Sequence, residues 1–139
     1  DDLQTFDIAP FLDVLSRHVV QANSESGIVL SVDSAPLVVG LDFAIPLGLI
    51  VTELVTNALK HAFPSGTGRI DVSLRRLDGH TVLLTVADNG KGLPEAAPGT
   101  STLGSTIVRG LVTQLLGSVT LSNENGVRAE VKLPAPGPV

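Results

Sequence analysis

Residues 52–61 read Thr-Glu-Leu-Val-Thr-Asn-Ala-Leu-Lys-His, a stretch in which polar and aliphatic residues recur at helical spacing. At about 100° per residue, its polar side chains occupy one half of a helix and its aliphatic side chains the other half. Glu53, Asn57 and His61 follow one another at intervals of four, so they form one row with Lys60 beside it. The pattern predicts a long amphipathic helix that is capped by Asp42 and ends near His61.

The polar row offers a set of groups suited to phosphate chemistry. The Asn57 amide oxygen can ligate a hard cation such as Mg²⁺, and Lys60 can meet phosphate oxygens. The Glu53 carboxylate can orient a nucleophile or a water molecule. The alternative is an ordinary solvated helix face, because amphipathic helices are common.

Size and composition limit the classes of function. The chain has 139 residues, a formal net charge of −5 and no cysteine. One domain is expected, without disulfides, thiolate nucleophiles or zinc–thiolate sites. Without a basic cluster, neither a nucleic acid nor an anionic membrane is expected as the main partner. Backbone N–H groups can still hold a small anionic ligand. The composition suits a cytoplasmic domain. No apolar run approaches the roughly 20 residues of a membrane helix.

The remaining periodicities predict an α+β two-layer sandwich, with a mostly antiparallel mixed sheet and about three helices on one of its faces. The first helix takes Asp7 as its N-cap, and Gly117 closes the last one. Residues 1–139 form one domain, with 1–6 as the remnant of a linker and 134–139 as a flexible tail. The start lacks the basic region of a signal peptide and is expected to be the cut edge of a longer protein. Besides the central helix, the predicted elements are a helix over 8–23, a strand over 28–32, a short strand or extended link over 36–39, a hairpin of 69–77 and 81–87, a helix over 103–116, and a hairpin of 119–121 and 127–133.

Two further segments carry candidate binding groups. Residues 88–94 read Asp-Asn-Gly-Lys-Gly-Leu-Pro directly after a predicted strand, and their two glycines permit close backbone approach to a ligand. An Asp at a strand end can accept a hydrogen bond from an exocyclic amine, although a plain turn is the alternative. Residues 102–110 place small residues at a helix start, which is a ready anion site, and a capped surface helix is the alternative.

Taken together and in this order, the three segments resemble the catalytic and ATP-binding domain of sensor histidine kinases, in the superfamily that also holds DNA gyrase, a heat-shock chaperone and a mismatch-repair ATPase. Residues 53–63 resemble the N box of that family, 88–94 its G1 box, and 103–117 its G2 box with the helix that follows. Residues 125–134 resemble the closing hairpin. The resemblance implies a Bergerat-type ATP-binding fold with ATP and Mg²⁺ as ligands.

The resemblance also implies roles for individual residues. Asn57 would ligate Mg²⁺, Glu53 would assist phosphoryl transfer, and Asp88 would accept a hydrogen bond from the adenine amine. Loop 93–105 would be the ATP lid. The other implied nucleotide-binding residues are Lys60 and His61 at the phosphates or ribose, Gly90 in the G1 turn, Gly92 and Leu93 at the adenine pocket, and Leu103, Gly104 and Ser105 at the phosphates.

The residues around the end of the central helix indicate a subclass within this family. The stretch Asn-Ala-Leu-Lys-His-Ala-Phe-Pro (57–64) resembles the second histidine kinase class, close to the HWE kinases, whose Trp-x-Glu is replaced here by Val86-Ala87-Asp88. The family often has Gly-Thr in the last hairpin, where the Thr supports the adenine-binding Asp through water. This chain has Gly126-Val127.

The resemblance implies a protein histidine kinase domain that transfers the ATP γ-phosphoryl group to a histidine on a separate dimerisation domain, and indirectly serves a response regulator. His18, His61 and His80 do not lie in a phospho-acceptor context, so the accepting histidine is expected elsewhere. The fragment itself is expected to be monomeric. Two alternatives stay open: a serine kinase of the anti-sigma-factor type, and a degenerate nucleotide-binding module that interacts without turnover.

Overall fold

The computed structural model describes residues 4–23, 27–92, 106–123 and 125–136. Their strands form two sheets. A small sheet pairs β1 with β3, and a five-stranded sheet has the order β2-β4-β5-β7-β6. The pair β2 and β4 is parallel, whereas β4–β5, β5–β7 and β6–β7 are antiparallel. The elements are β1 (Phe6–Asp7), α1 (Ile8–Asn23), β2 (Ile28–Ser34), β3 (Val38–Val39), α2 (Leu41–His61), β4 (Gly68–Arg76), β5 (Thr81–Asp88), α3 (Thr106–Gln114), β6 (Ser118–Asn123) and β7 (Val127–Pro134).

One face of the five-stranded sheet carries the core and packs against the helices. In β4, Ile70, Val72 and Leu74 are buried, and cross-strand register places buried residues of β5 and β7 on the same face. Helix α2 is central, because it contacts α1, α3 and β5. A parallel pair needs a long crossover, and the segment from β2 to β4 contains α2 for that purpose. The predicted α+β sandwich, with helices over a mostly antiparallel mixed sheet, is therefore confirmed.

The central helix α2 begins two residues earlier than the sequence indicates. Gly40 occupies the N-cap position without a side-chain cap, so the prediction that Asp42 caps the helix is wrong. Asp42 lies in the first turn instead, while Lys60 and His61 lie in the last, which complements the helix dipole at both ends. Pro46 lies inside the helix and removes one backbone donor there.

Helix α2 is also the one helix among the described residues that is long and apolar enough to cross a membrane by length and composition. Its mean hydropathy is 1.4 over the best window, but 61% of that window is buried inside the fold. Ile50, Val51 and Val55 have no exposed surface. Helix α2 is the core helix of this domain.

Both ends of the domain differ from the expected linker and tail. Phe6, expected in the linker, pairs with Val39 in the small sheet and lies edge-on to the Phe11 ring, with centroids 6.0 Å apart. Asp7 caps α1 as predicted, because its Oδ1 accepts the Ala9 N–H at 3.0 Å. At the other end, Ala135 donates its N–H to the His80 carbonyl at 2.8 Å, so the paired region extends past Pro134.

The end of α3 corrects the predicted role of Gly117. Leu116 takes the left-handed conformation, with φ of 62°, and the Gly117 N–H bonds the Val112 carbonyl at 2.9 Å. This is the pattern of a Schellman motif whose left-handed residue is Leu116. A Cβ on Gly117 would meet the Lys132 carbonyl oxygen, so this glycine serves close packing against β7. Residues 103–105, which were expected to begin this helix, lie outside the described residues.

Candidate functional site

The C-terminal half of α2 places the predicted polar row on one wall. Asn57 is buried, Glu53 is half-buried, and Lys60 and His61 are exposed. At 1.5 Å rise per residue, Glu53 and Asn57 are about 6 Å apart along the helix axis. Solvent exposure along the wall therefore increases from the amide and the carboxylate to the ammonium and imidazole groups at the end of the helix.

Asn57 is an unusual residue for the middle of a core helix. Its side chain is 7% exposed, and its Nδ2 has no hydrogen-bond partner among the described residues. An unsatisfied buried donor costs about 1–3 kcal/mol, so folding alone does not favour an amide here. A polar ligand or a hydrated cation could satisfy this group. The side-chain amide thus fits the ligand-binding role that the sequence predicts.

Asp88, the last residue of β5, is held by backbone donors. Its Oδ1 accepts the N–H of Gly90 at 2.9 Å and the N–H of Val127 at 3.2 Å. Neither bond uses Oδ2, so within the described part of the chain this carboxylate oxygen stays available to a ligand donor. The family's Thr is replaced by Val127, but the backbone N–H of that position supports Asp88 directly, and a valine supplies this N–H as well as a threonine would.

Gly126 is a site residue that the sequence reasoning missed. Its φ is 129°, and a Cβ there would meet the Asp88 carbonyl oxygen and lie 2.9 Å from Oδ1. Only glycine lets the β6–β7 turn approach Asp88 closely enough for the Val127 bond. The Asn125-Gly126 dipeptide was the available signal, because it marks a tight turn.

The loop after Asp88 is fixed to the end of α2. The Lys91 N–H bonds the Ala62 carbonyl at 3.0 Å, and a Cβ on Gly90 would meet Ala62 itself. Asn89 joins the same loop to β4, because its Oδ1 accepts the Arg69 N–H at 2.8 Å. The helix wall and the Asp88 loop are therefore brought together at one end of the domain, as the predicted site requires.

Gly92 shows why glycine is needed at the second predicted position of the loop. Its φ is 82°, and a Cβ there would meet the Asn123 side-chain oxygen at the end of β6. The loop thus touches α2 on one side and the last hairpin on the other. Four predicted residues, Leu93, Leu103, Gly104 and Ser105, lie outside the described residues, as does the expected lid 93–105.

A metal ion at this wall would need help from a ligand. Among the described residues, no three His, Cys, Asp or Glu side chains come together to hold a cation. Mg²⁺ usually keeps several waters and binds through one or two protein oxygens together with substrate phosphates. The donor set of Asn57 and Glu53 fits that pattern and does not resemble a closed protein cage.

A concavity lies at the opposite end of the sheet from Asp88, where the sequence predicts no site. It encloses about 380 Å³ and includes His80 and Thr81 beside Lys132. They lie just before and at the start of β5 and near the end of β7, whereas Asp88 ends β5 and Val127 begins β7. The two regions are therefore separated by the full length of the central strands.

Comparison with known proteins agrees with the geometry. The family described as histidine kinase-, DNA gyrase B- and HSP90-like ATPases matches residues 43–137. Blue-light-activated histidine kinase 2 of Erythrobacter litoralis is 32% identical over 108 residues, which are 76% of this chain and 31% of that protein. An anti-sigma F factor of Anoxybacillus flavithermus is 43% identical over 56 residues, which are 38% of this chain and 36% of that protein.

The structural comparison gives the same result. The histidine kinase domain of a blue-light-activated histidine kinase from Erythrobacter litoralis superposes with a TM-score of 0.83 at 28% identity, covering 94% of this chain and 62% of that one. The chain spans about a third of the length of the curated relatives that it matches. The family match covers the helix wall and the Asp88 loop together, and the chain belongs to the histidine kinase-, DNA gyrase B- and HSP90-like ATPase family.

Proposed function

We propose that this domain binds ATP with Mg²⁺ and transfers the γ-phosphoryl group to a histidine on a separate dimerisation domain, as the catalytic part of a sensor histidine kinase of the second class. The observation that carries the proposal is the joining of the α2 wall to the Asp88 loop through Ala62 and Lys91. The similarity to a curated histidine kinase over 76% of the chain supports the same function.

In this proposal Asp88 selects the base. With Oδ1 already accepting hydrogen bonds from two backbone N–H groups, Oδ2 accepts a hydrogen bond from the exocyclic amine of adenine. A guanine would present a carbonyl oxygen at that position, which the carboxylate would repel. The fixed orientation of the carboxylate makes the discrimination strong, because a mispaired buried polar group costs about 1–3 kcal/mol.

The helix wall acts on the phosphates. Asn57 contributes an oxygen to Mg²⁺, which when bound neutralises charge on the phosphate oxygens. Glu53 orients the accepting imidazole, whose nitrogen forms a bond to the γ-phosphorus as the bond to the leaving oxygen of ADP breaks. Lys60 and His61 approach the phosphates or ribose from the exposed end of the wall. Leu93, Leu103, Gly104 and Ser105 complete the nucleotide contacts.

Calorimetry tests the base-binding role with a substitution that preserves the fold. In Asp88→Asn, the amide oxygen still accepts the two backbone N–H groups, while an NH₂ group replaces the acceptor for adenine. We expect ATP affinity to fall at least about tenfold and the preference for ATP over GTP to shrink. The control is Asp71→Asn, which removes an exposed carboxylate paired with Arg69 on the open face of the sheet. Unchanged ATP affinity in Asp88→Asn would reject the assignment.

The second candidate is a serine kinase of the anti-sigma-factor type, favoured by the 43% identity to an anti-sigma F factor over 56 residues. The chemistry of the product separates the two. A phosphohistidine is labile to acid, whereas a phosphoserine is stable to acid. Acid-labile phosphate on the full-length protein supports the histidine kinase, and acid-stable phosphate on a partner protein supports the alternative.

A further inference from the structure

Helix α2 carries an exposed apolar row that the nucleotide site does not use. Leu41, Ile45 and Leu49 are spaced four residues apart and are 59%, 54% and 51% exposed. Val38, just before the helix, is 63% exposed. We name these four residues the α2 row. Isolated exposed aliphatic residues are ordinary, but a contiguous line of them marks an interaction surface.

The α2 row leads directly into the proposed catalytic wall. The same spacing of four continues from Leu49 to Glu53 and then to Asn57, so apolar and catalytic side chains belong to one ridge of the helix. Each step advances about 6 Å along the axis. A partner helix packed on the α2 row would therefore reach Glu53 about one turn beyond Leu49.

The polar group beside the α2 row does not need water as a hydrogen-bond partner, so a partner could cover it without leaving it unpaired. The Thr52 hydroxyl donates to the Gly48 carbonyl at 2.8 Å, so it is already satisfied. Gly48 itself is buried, with its Cα face against Phe11 and Leu15 of α1. The row thus lies on the outer side of a helix that packs against α1, and its four side chains stay more than half exposed in the described structure.

The path of the chain brings upstream segments to this surface. Strand β1 pairs with β3 so that Phe6 lies opposite Val39. Gln4, the first described residue, passes beside Gly40, which precedes the first residue of the α2 row on the helix. Any segment that precedes Gln4 in a longer protein enters the domain next to the α2 row.

We infer that the α2 row is the docking surface for the helix that presents the phospho-accepting histidine. This inference rests on the proposed histidine kinase function and names the surface through which its partner is held. The matching helix offers an apolar face with neutral or basic edges, because Asp42 and Glu53 flank the row. The same acidic flank, with a net charge of −5 on the chain, opposes an anionic lipid surface.

The test compares phosphorylation rates in the full-length protein. Ile45→Lys and Leu49→Lys place a charge on the α2 row, and Val29→Lys places one at a 57% exposed position of β2 as the matched control. We expect both row variants to lose at least tenfold in the initial rate of acid-labile phosphate formation, with ATP affinity and melting temperature unchanged. Val29→Lys is expected to stay within twofold of wild type.

The outcomes separate this inference from the function on which it rests. Wild-type rates in both row variants would overturn the docking surface and leave the kinase function standing. A wild-type protein that binds ATP but forms no acid-labile phosphate would overturn both. Two further measurements name other occupants. If the domain binds vesicles and Ile45→Lys abolishes this binding, the α2 row contacts a membrane. If the domain forms a dimer in light scattering and Ile45→Lys abolishes the dimer, the α2 row contacts a second copy. Either result would overturn the inference.

Discussion

The two halves of α2 form one continuous helix, yet they differ in which chemical groups they bury and which they expose. The N-terminal half exposes Leu41, Ile45 and Leu49, while the C-terminal half shelters Asn57, a buried amide with an unpaired donor. Neither choice is what stability alone would favour, since exposed aliphatic side chains add little and an unpaired buried donor costs free energy. Departures from the locally stable choice are expected where a protein binds something. The contrast supports the proposal that α2 forms the core with its inner side and binds ligand and partner with the rest.

The inner side of the helix gives the largest expected effect. Ile50 is fully buried and is the direct neighbour of Leu49. Ile50→Ala should lower the free energy of unfolding by about 2–5 kcal/mol, because it removes core contacts and leaves a cavity. Urea denaturation followed by circular dichroism measures this change. A loss below about 1 kcal/mol would mean that α2 is not the central core helix.

In the C-terminal half of α2, which carries the proposed catalytic wall, a substitution should weaken ligand binding without lowering the stability of the fold. Asn57→Ala removes the unpaired donor and gains helix propensity, which offsets the lost contacts, so we expect the free energy of unfolding to change by less than about 1 kcal/mol. Affinity for ATP with Mg²⁺ should nevertheless fall at least about tenfold. Calorimetry with and without Mg²⁺ provides the measurement, and Asn23→Ala near the end of α1 is the control. Stability and affinity falling together would point to a structural role for Asn57.

The apolar half should give the smallest effect on folding. Leu49→Ala lies at a half-exposed position, and alanine is a good helix former, so the free energy of unfolding should stay within about 0.5 kcal/mol of wild type. The comparison with Ile50→Ala in the same urea experiment is direct, because the two residues are adjacent in sequence. A loss in Leu49→Ala comparable to that in Ile50→Ala would show that the α2 row is already covered within this domain.

Much of this architecture could be predicted from the sequence, because the spacing of apolar residues indicates which side of each helix or strand is buried. Strand alternation in 69–77 and 81–87 and helical spacing in 8–23 gave the correct elements, and the α+β sandwich followed from their order. The position of the Asp88 loop beside the helix wall followed from the resemblance of the motifs to the histidine kinase domain, since single segments of this kind also occur as ordinary turns and surface helices.

The errors occurred where backbone geometry, rather than side-chain type, decides the structure. Asp42 looks like a cap, but Gly40 takes the N-cap position. Gly117 looks like the left-handed residue, but Leu116 adopts that conformation, and the glycine packs closely against β7 instead. The hydrogen bond from the Val127 N–H to Asp88 could not be predicted either, because every residue except proline has a backbone N–H. Exposure of the α2 row depends on what packs around the helix, which sequence periodicity alone does not reveal.

In the proposed site, ATP binds where α2 meets the Asp88 loop. Titration of the isotope-labelled domain with ATP and Mg²⁺, followed by amide NMR, tests this most directly. We expect the largest shifts at the backbone amides of Gly90, Lys91 and Val127 and at the side-chain amide of Asn57, while Ser118 and Lys132 at the far end of the sheet stay unchanged. Shifts concentrated around Ser118 and Lys132, with the Asp88 loop unaffected, would contradict it.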